Sequence, residues 1–420
     1  MGKKIFTQRN ILVIGLLFHF QSLYAQPDHW TTKTPLTGHG RMAGAAFSIG
    51  NKGFVGIGTD FGAAQQQLKD FWEYDPAIDS YTQIADYPGG GVNGAGSFTL
   101  GDKGYVSCGA GNGNFYNDLW AYDTLTNLWE QKTSLPGSVR DYTVAFAING
   151  KGYITTGNSG SGDLNDLWEY DPVADSWTSR MGITQSRSSA CGFSIGNKGY
   201  LATGYVGGGT IDCWEFDPLS NAWTQKANVD TIPRSDGVGF SIGDYGYICC
   251  GYGINYPDND LWEFDVLANT WTQRSNLDGP GRANPVAFTL GLKAFVFGGS
   301  DISFAALAAM HEYTPDSTIV NSVPPSELQE EEYWIFPNPA RNQLAIGLRS
   351  PKACRRCDSR QYTMKTVSIY NSLGEIVYRN EDNKVDWNKQ IEIDISNLRS
   401  GNYTVVINGD QTKSKKLVVE

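Results

Sequence analysis

Histidine, cysteine and paired carboxylates are the side chains that most often carry catalysis or hold metal, and this 420-residue chain uses them sparingly. Its four histidines include His29, His39 and His311, which are scattered, with no partner ligands at metal-binding spacing. The seven cysteines are Cys108, Cys191, Cys213, Cys249, Cys250 and the lone Cys354-x-x-Cys357 pair. A structural zinc site needs four ligands, and no second pair accompanies that one. The recurrent Asp75, Asp123, Asp171, Asp217 and Asp265 precede Pro or turn residues, where a carboxylate caps a turn through its own backbone. Neither a catalytic residue set nor a metal site nor a cofactor is therefore expected. What recurs instead is binding chemistry. Arg41, Arg140, Arg187, Arg234 and Arg282 each stand twelve residues before a Gly or, once, Ala294, and Val92 holds the equivalent place in the remaining copy. Near them in sequence lie Phe61, Phe115, Tyr116, Tyr205, Tyr252 and Tyr256. Guanidinium and aromatic groups converging on one surface could hold an acidic sugar or a protein anchor. The competing reading is that the arginines brace neighbouring units through backbone carbonyls. Their recurrence favours bracing, which leaves the non-repeated aromatics as the stronger ligand candidates.

The elements that would position these residues are repeated. NDLWEYDP at 165–172 is echoed by NDLWAYD from Asn117 and NDLWEFD from Asn259. Trp72, Trp120, Trp168, Trp214 and Trp262 mark the period, with His311 in a degraded sixth copy, AMHEYTP. A second aromatic follows each: Tyr81, Trp129, Trp177, Trp223 and Trp271. Self-similarity at this spacing signals a repeat architecture. Each unit reads as four short strands. The first two are joined by turns such as Asn149-Gly150, Gly101-Asp102 or Gly196-Asn197, which take positive φ cheaply. The second strand ends on a recurring Gly (Gly58, Gly109, Gly157, Gly204, Gly251, Gly299), which suggests a backbone passing close by. The third carries DLWEYD and the fourth WTQ. Such a meander cannot bury both faces alone, but sheets arranged radially bury each other's aromatics. The sixth copy lacks a fourth strand after His311, while DHWTTK at 28–33 matches WTQK. The expectation is an all-β six-bladed propeller over residues 26–319, closed by its N-terminal strand. In a meander the loops before strand one and after strand two share one end, so the Arg set and the loop aromatics fall on one face of the ring.

These repeats resemble the Kelch family, whose units pair a Gly-Gly strand end with spaced Tyr and Trp. The doublet is intact only at Gly298-Gly299; Ile57, Cys108, Thr156, Thr203 and Cys250 precede the Gly elsewhere. Kelch-like copper oxidases use clustered His and Tyr ligands, which this chain lacks, as it lacks sialidase-type Asp boxes.

The two ends of the chain read as addresses. Lys3, Lys4 and Arg9, the apolar run Ile11–Phe18 and Leu23-Tyr24-Ala25 form a secretory signal peptide over 1–25. Its apolar run is too short to span a bilayer, so no membrane span is expected after its removal. Residues 320–332, with Pro and acids, read as a linker. Beyond them, 333–420 hold 14 Lys/Arg against 9 Asp/Glu, whereas the whole chain carries a net charge of −11. That acidic balance argues against nucleic acid. Period-two patterning in QLAIGL, TVSIYNSLGEIVYR, IEIDIS, GNYTVVING and KKLVVE points to a small C-terminal β-sandwich. Phe336-Pro337-Asn338-Pro339, Ile369-Tyr370-Asn371, Ser400-Gly401-Asn402-Tyr403 and Lys415-Lys416-Leu417-Val418-Val419 resemble the C-terminal sorting domain of type IX secretion substrates. The resemblance implies partnership with that machinery through 333–420 and delivery, via the periplasm, to the outer cell surface or medium. The functional expectation is an exported binding module for a protein or glycan. The alternative is a carbohydrate-active enzyme (epimerase, lyase or hydrolase), since Kelch-like propellers include sugar epimerases. Catalysis would need an acid and a base in reach of one substrate, and the loop carboxylates Asp60, Asp163, Asp258 and Asp301 are spread around the ring.

Overall fold

A computed structural model describes residues 28–61, 66–253 and 257–316, and the segments 333–336, 343–348, 366–370, 376–380, 391–398, 401–408 and 412–419. The expected signal peptide (1–25) and linker (320–332), Tyr256 and the insert bearing Cys354 and Cys357 lie outside the described residues. The chain divides into two compact units, Met1–Asn321 and Ser322–Glu420.

The first unit is six four-stranded antiparallel sheets. Blade 3 shows the pattern, with inner strand Val144–Ile148, second strand Lys151–Thr155, third strand Leu167–Asp171 and outer strand Ser176–Arg180. Blades 1, 2, 4 and 5 repeat it, from Ala45–Ile49, Gly96–Leu100, Cys191–Ile195 and Val238–Ile242 outward. Blade 6 takes Val286–Leu290, Lys293–Phe297 and Met310–Thr314 from the end of the unit and its outer strand, His29–Lys33, from the beginning. Trp30 pairs with Tyr313 in that sheet and sends its Nε1–H to Ser275 O at 2.8 Å in blade 5. Trp129, Trp177, Trp223 and Trp271 reach back in the same way to Ala85, Thr133, Met181 and Ala227. The expected closure is thus present, in register with the other five blades.

Hydrophobic clusters lie between blades rather than within them. Phe47, Phe54 and Phe71 of blade 1 pack with Val106 and Tyr122 of blade 2, and five further clusters repeat this around the ring, ending with Tyr74 of blade 1 against Phe288 and Phe295 of blade 6. The inner-strand Phe of one blade lies flat over the second-strand Gly of the next. A Cβ on Gly152 would stand 2.3 Å from the Phe98 ring, which explains why that position is Gly. The Gly ending the second strand has a different reason. Gly157 has φ +106, a Cβ there would meet Asp141 O at 2.7 Å, and its N–H donates to Arg187 O of the next blade at 2.9 Å. The predicted Asp caps form too: Asp171 Oδ1 accepts from Val173 N at 2.9 Å, and its counterparts do likewise.

In the second unit, Tyr333–Phe336, Gln343–Leu348 and Ile391–Asp394 form a three-stranded antiparallel sheet. Thr366–Tyr370, Ile376–Asn380, Gly401–Asn408 and Thr412–Val419 form a four-stranded one. Among the described residues there is no helix, and none long and apolar enough to cross a membrane.

Trp30→Ala removes a buried indole and the bond that ties blade 6 to blade 5. It should cost about 3–5 kcal/mol, read as a lowered urea midpoint with an unchanged m-value.

Candidate functional site at the axial mouth

The five arginines lie in the loops that lead into the inner strands, and all are buried: Arg41 is 2% exposed and the others 0%. Arg140 shows their role. Its Nη1 donates to Thr156 O at 3.0 Å and to Asp166 Oδ1 at 2.6 Å, and its Nη2 donates to Asp166 Oδ2 at 2.7 Å. Asp166 also accepts from Trp168 Nε1 at 2.7 Å. Arg41, Arg187 and Arg234 grip Asp70, Asp212 and Asp260 in the same forked way. The guanidinium holds the Asp166 carboxyl below the usual range against the opposing push of burial, and likewise Asp70 and Asp212. While each side chain is bound to its own blade, its backbone is bound to the one before: Gly109 N donates to Arg140 O, and Arg140 N to Tyr116 O. This is a staple between blades, with no guanidinium surface presented to a ligand. In blade 2, Val92 replaces Arg, and Asp118 is left with a raised pKa, caused by burial.

The lead loops and the loops after the second strands do run side by side, as the meander requires. Met42 pairs with Thr59, Asn93 with Ala110, Asp141 with Asn158, Ser188 with Tyr205, Ser235 with Tyr252 and Ala283 with Ser300. The residues one step further along, Ala43, Gly94, Tyr142, Ser189, Asp236 and Asn284, form a ring about the axis. Ala43 N donates to Asn284 O, Gly94 N to Ala43 O, Ser189 N to Tyr142 O, Asp236 N to Ser189 O and Asn284 N to Asp236 O, at 2.7–3.1 Å. All six have left-handed φ, from 46 to 64°. For a residue as bulky as Tyr142 that conformation is strained and persists only because neighbouring blades fix the backbone. These six residues line the mouth of an axial channel of ≈ 170 Å³ walled by the inner strands.

The mouth is polar and acidic. Asp236 accepts from Ser235 Oγ at 2.6 Å and also takes side-chain bonds from Ser189 and Asn284, yet burial raises its pKa. Burial pushes the Asp141 carboxyl up to about 6, and nearby Asp163 adds to the rise. Burial, Asp236, Asp141 and Tyr252 together raise the Tyr142 phenol. At the same end of the ring, on the loops after the second strands, Phe61, Tyr205 and Phe304 are 45%, 47% and 51% exposed.

The other predicted aromatics are placed differently. Phe115, in the Ala110–Gly111/Asn114–Phe115 hairpin, lies against Gly160 of blade 3 and bridges two loops. Tyr116 packs against the cluster between blades 1 and 2. Tyr252 is half-buried and faces Tyr142. Of the loop carboxylates, Asp60 meets His39 Nδ1 at 2.7 Å, Asp163 accepts from Asn158 Nδ2 at 2.9 Å, and Asp301 caps Ser303 and Ala305. Among the described residues no group of three or more His, Cys, Asp or Glu could hold a metal ion. The five described cysteines are buried and unbridged, and burial lifts the Cys108 and Cys191 thiols to about 11 and about 12, away from nucleophilic use. Sequence reasoning passed over Asp141, Tyr142, Asp236 and Asn284. The signal was the pair that follows each staple: Met42-Ala43, Asn93-Gly94, Asp141-Tyr142, Ser188-Ser189, Ser235-Asp236 and Ala283-Asn284 change from blade to blade beside a nearly constant Arg.

Comparison with known proteins agrees with this architecture. Residues 93–251 match the family model of the KLHDC2/KLHL20/DRC7 Kelch-repeats domain, and residues 334–420 match that of the Secretion system C-terminal sorting domain. No curated protein matches the chain. A solved structure described as "Structure of YjhT" is similar at 19% identity with a TM-score of 0.58, over 66% of this chain and 95% of that one. At that identity the likeness speaks for the fold alone.

Asp141 binds its proton more tightly folded than unfolded, so its ionisation weakens the fold above about pH 6, and that penalty fades as pH falls toward its ordinary value of 3.8. Asp141→Asn should therefore raise stability at pH 8 by on the order of 2 kcal/mol. The gain should shrink to nothing near pH 4, measured by urea titrations across that range.

Proposed function

We propose that this chain, a Kelch-repeat propeller followed by a type IX sorting domain, is an exported module that binds a neutral or amino glycan at the axial mouth. The observation that carries the reading is the cup of Asp141, Tyr142, Ser189, Asp236 and Asn284, at the same end of the ring as the exposed rings of the second-strand loops. Hydroxyl-rich ligands suit such a site: carboxylates and amides take the hydroxyls, and aromatic faces take the sugar's apolar C–H side. An acidic sugar, attractive while the arginines were candidates for contact, fits poorly, because the guanidinium groups are buried in the staples and the mouth carries carboxylates. The sorting-domain match supports secretion through the type IX route.

A glycan array probed with the full chain tests the binding reading. Tyr205→Ala and Asn284→Ala should each weaken the retained glycans about tenfold or more, with circular dichroism unchanged. Array-wide absence of binding would count against it. The second reading, a carbohydrate-active enzyme, draws on Asp141: a carboxylic acid with pKa about 6 suits a general acid, with Asp236, at the same end of the ring, as a candidate base. Turnover of any bound glycan, abolished in Asp141→Asn and Asp236→Asn, would establish it. For the export route, deletion of 333–420 should leave the protein in the periplasm; surface delivery of the truncated chain would remove the sorting role.

A further inference from the structure

Each second strand ends in the same kink. Side chains that follow one another along a strand point to opposite faces, which keeps them apart. The residue before the strand-ending Gly breaks that rule in every blade: Ile57, Cys108, Thr156, Thr203, Cys250 and Gly298 all take left-handed φ, from 47 to 69°. The reversal folds its side chain back beside that of the residue before it. Blade 2 shows the result in Ser107 and Cys108, whose Oγ and Sγ lie 3.3 Å apart. Blade 5 has cysteine at both positions, at the end of its second strand Tyr245–Gly251, and Cys249 Sγ stands 3.0 Å from Cys250 Sγ. The remaining blades carry Gly56-Ile57, Thr155-Thr156, Ala202-Thr203 and Phe297-Gly298 there, so the thiol pair is particular to blade 5.

Buried thiols usually need no further account, since a free Cys packs as a small apolar residue. Cys191 and Cys213, in the cluster between blades 4 and 5, fit that description. The blade 5 pair differs because its two sulfurs face each other, closer than unbonded sulfurs sit comfortably. The backbone that aims them is held from several sides. Cys249 pairs with Val238 and Leu261 within the sheet, and the register shifts between Cys249 and Gly251. Cys250 O accepts from Arg234 Nη1 at 3.3 Å, and Gly251 N donates to Arg282 O of blade 6 at 2.9 Å. The folded frame therefore brings the two sulfurs together without any search by the side chains.

We propose that in the exported chain Cys249 and Cys250 are joined as a vicinal disulfide, made by exchange with an external disulfide. One cysteine thiolate attacks a sulfur of that oxidant and displaces its other sulfur as a thiolate. The neighbouring thiolate then attacks the mixed disulfide and displaces the second. Two thiol protons pass to solvent, and two electrons reduce the oxidant to two thiols. The ring must still be open at that moment. Both cysteines are 0% exposed, in a cluster that blade 6 covers with Val296, Tyr313 and Trp30 of the closing strand, and burial there holds the Cys249 thiol protonated. Blade 5 is one continuous stretch of chain, so its kink can form before His29–Lys33 seals the cluster. Consecutive Cα atoms are about 3.8 Å apart, closer than the roughly 4.4 Å minimum of ordinary disulfides, so the bond is readily reduced wherever reductant reaches it. The closed ring shields it. The inference rests on the export reading, since the cytosol keeps thiols reduced, and is independent of glycan binding.

The test is mass spectrometry of the full chain, once collected from the periplasm of an expressing bacterium and once refolded from urea in a glutathione disulfide buffer. Each sample is quenched in acid, denatured, alkylated without reductant and digested with trypsin, which releases residues 235–274 carrying these two cysteines and no other. The expected peptide lacks both alkyl groups and has lost one hydrogen from each thiol. Reduction before alkylation should restore both alkyl groups, and Cys249→Ser should leave Cys250 alkylated. Both cysteines alkylated in the refolded chain, or either one joined to a peptide bearing Cys191 or Cys213, would overturn the cross-link. A cross-link in the refolded sample alone supports the chemistry and counts against the export reading, so the two failures are told apart.

Discussion

A four-stranded meander has two apolar faces and can cover neither by itself, so everything in the propeller depends on burial between one blade and the next. Phe47 reaches blade 2, Phe98 blade 3, Phe146 blade 4 and Phe193 blade 5, each lying over a Gly that has no side chain to obstruct it. An open arc of such blades would leave its first and last faces wet. Pairing of His29–Lys33 with Met310–Thr314 converts the arc into a circle, so that Tyr74 of the first blade meets Phe295 of the last.

The Arg–Asp staples fix where the loops leave this frame. A buried ion pair is weak evidence of net stability, since desolvation opposes the Coulomb gain. Its contribution is geometric: a forked guanidinium, one backbone carbonyl from its own blade and a backbone exchange with the blade before it leave each lead loop a single path. Blade 2 manages with Val92 and a half-buried Asp118, and blade 6 with Arg282 and His311. With the frame rigid, the residues just after each staple vary freely at the axis.

Those residues stand in left-handed backbone around a carboxylate-rich opening, which is poor design for stability. Strain at Tyr142 and an ionisation penalty at Asp141 are the kind of local cost that binding sites retain while the surrounding structure offsets it. The mouth that weakens the fold above pH 6 also carries the carboxylate, amide and hydroxyl groups on which the proposed glycan binding rests.

Blade count, strand order, turns and closure were legible in the sequence because each blade is a local meander whose Trp, Gly and Asp signals recur in one register. DHWTTK matched WTQK closely enough to identify the missing outer strand. The face shared by the lead loops and the second-strand loops also followed from strand order alone. For the arginines, recurrence favoured bracing, but through backbone carbonyls; the aspartate partners did not follow, because a spacing of twelve residues does not say that the side chain turns toward Asp166. Their partners lie on the far side of two strands, and only the folded blade brings Arg140 and Asp166 within 2.6 Å. Asp141 and Asp236 were missed although strand order put their loops on one face: only the left-handed turn after each staple brings these particular residues to the axis. Local hydrogen bonding and hydrophobic period determined the blades, whereas closure of the ring decided which side chains share a site and which are sealed inside it.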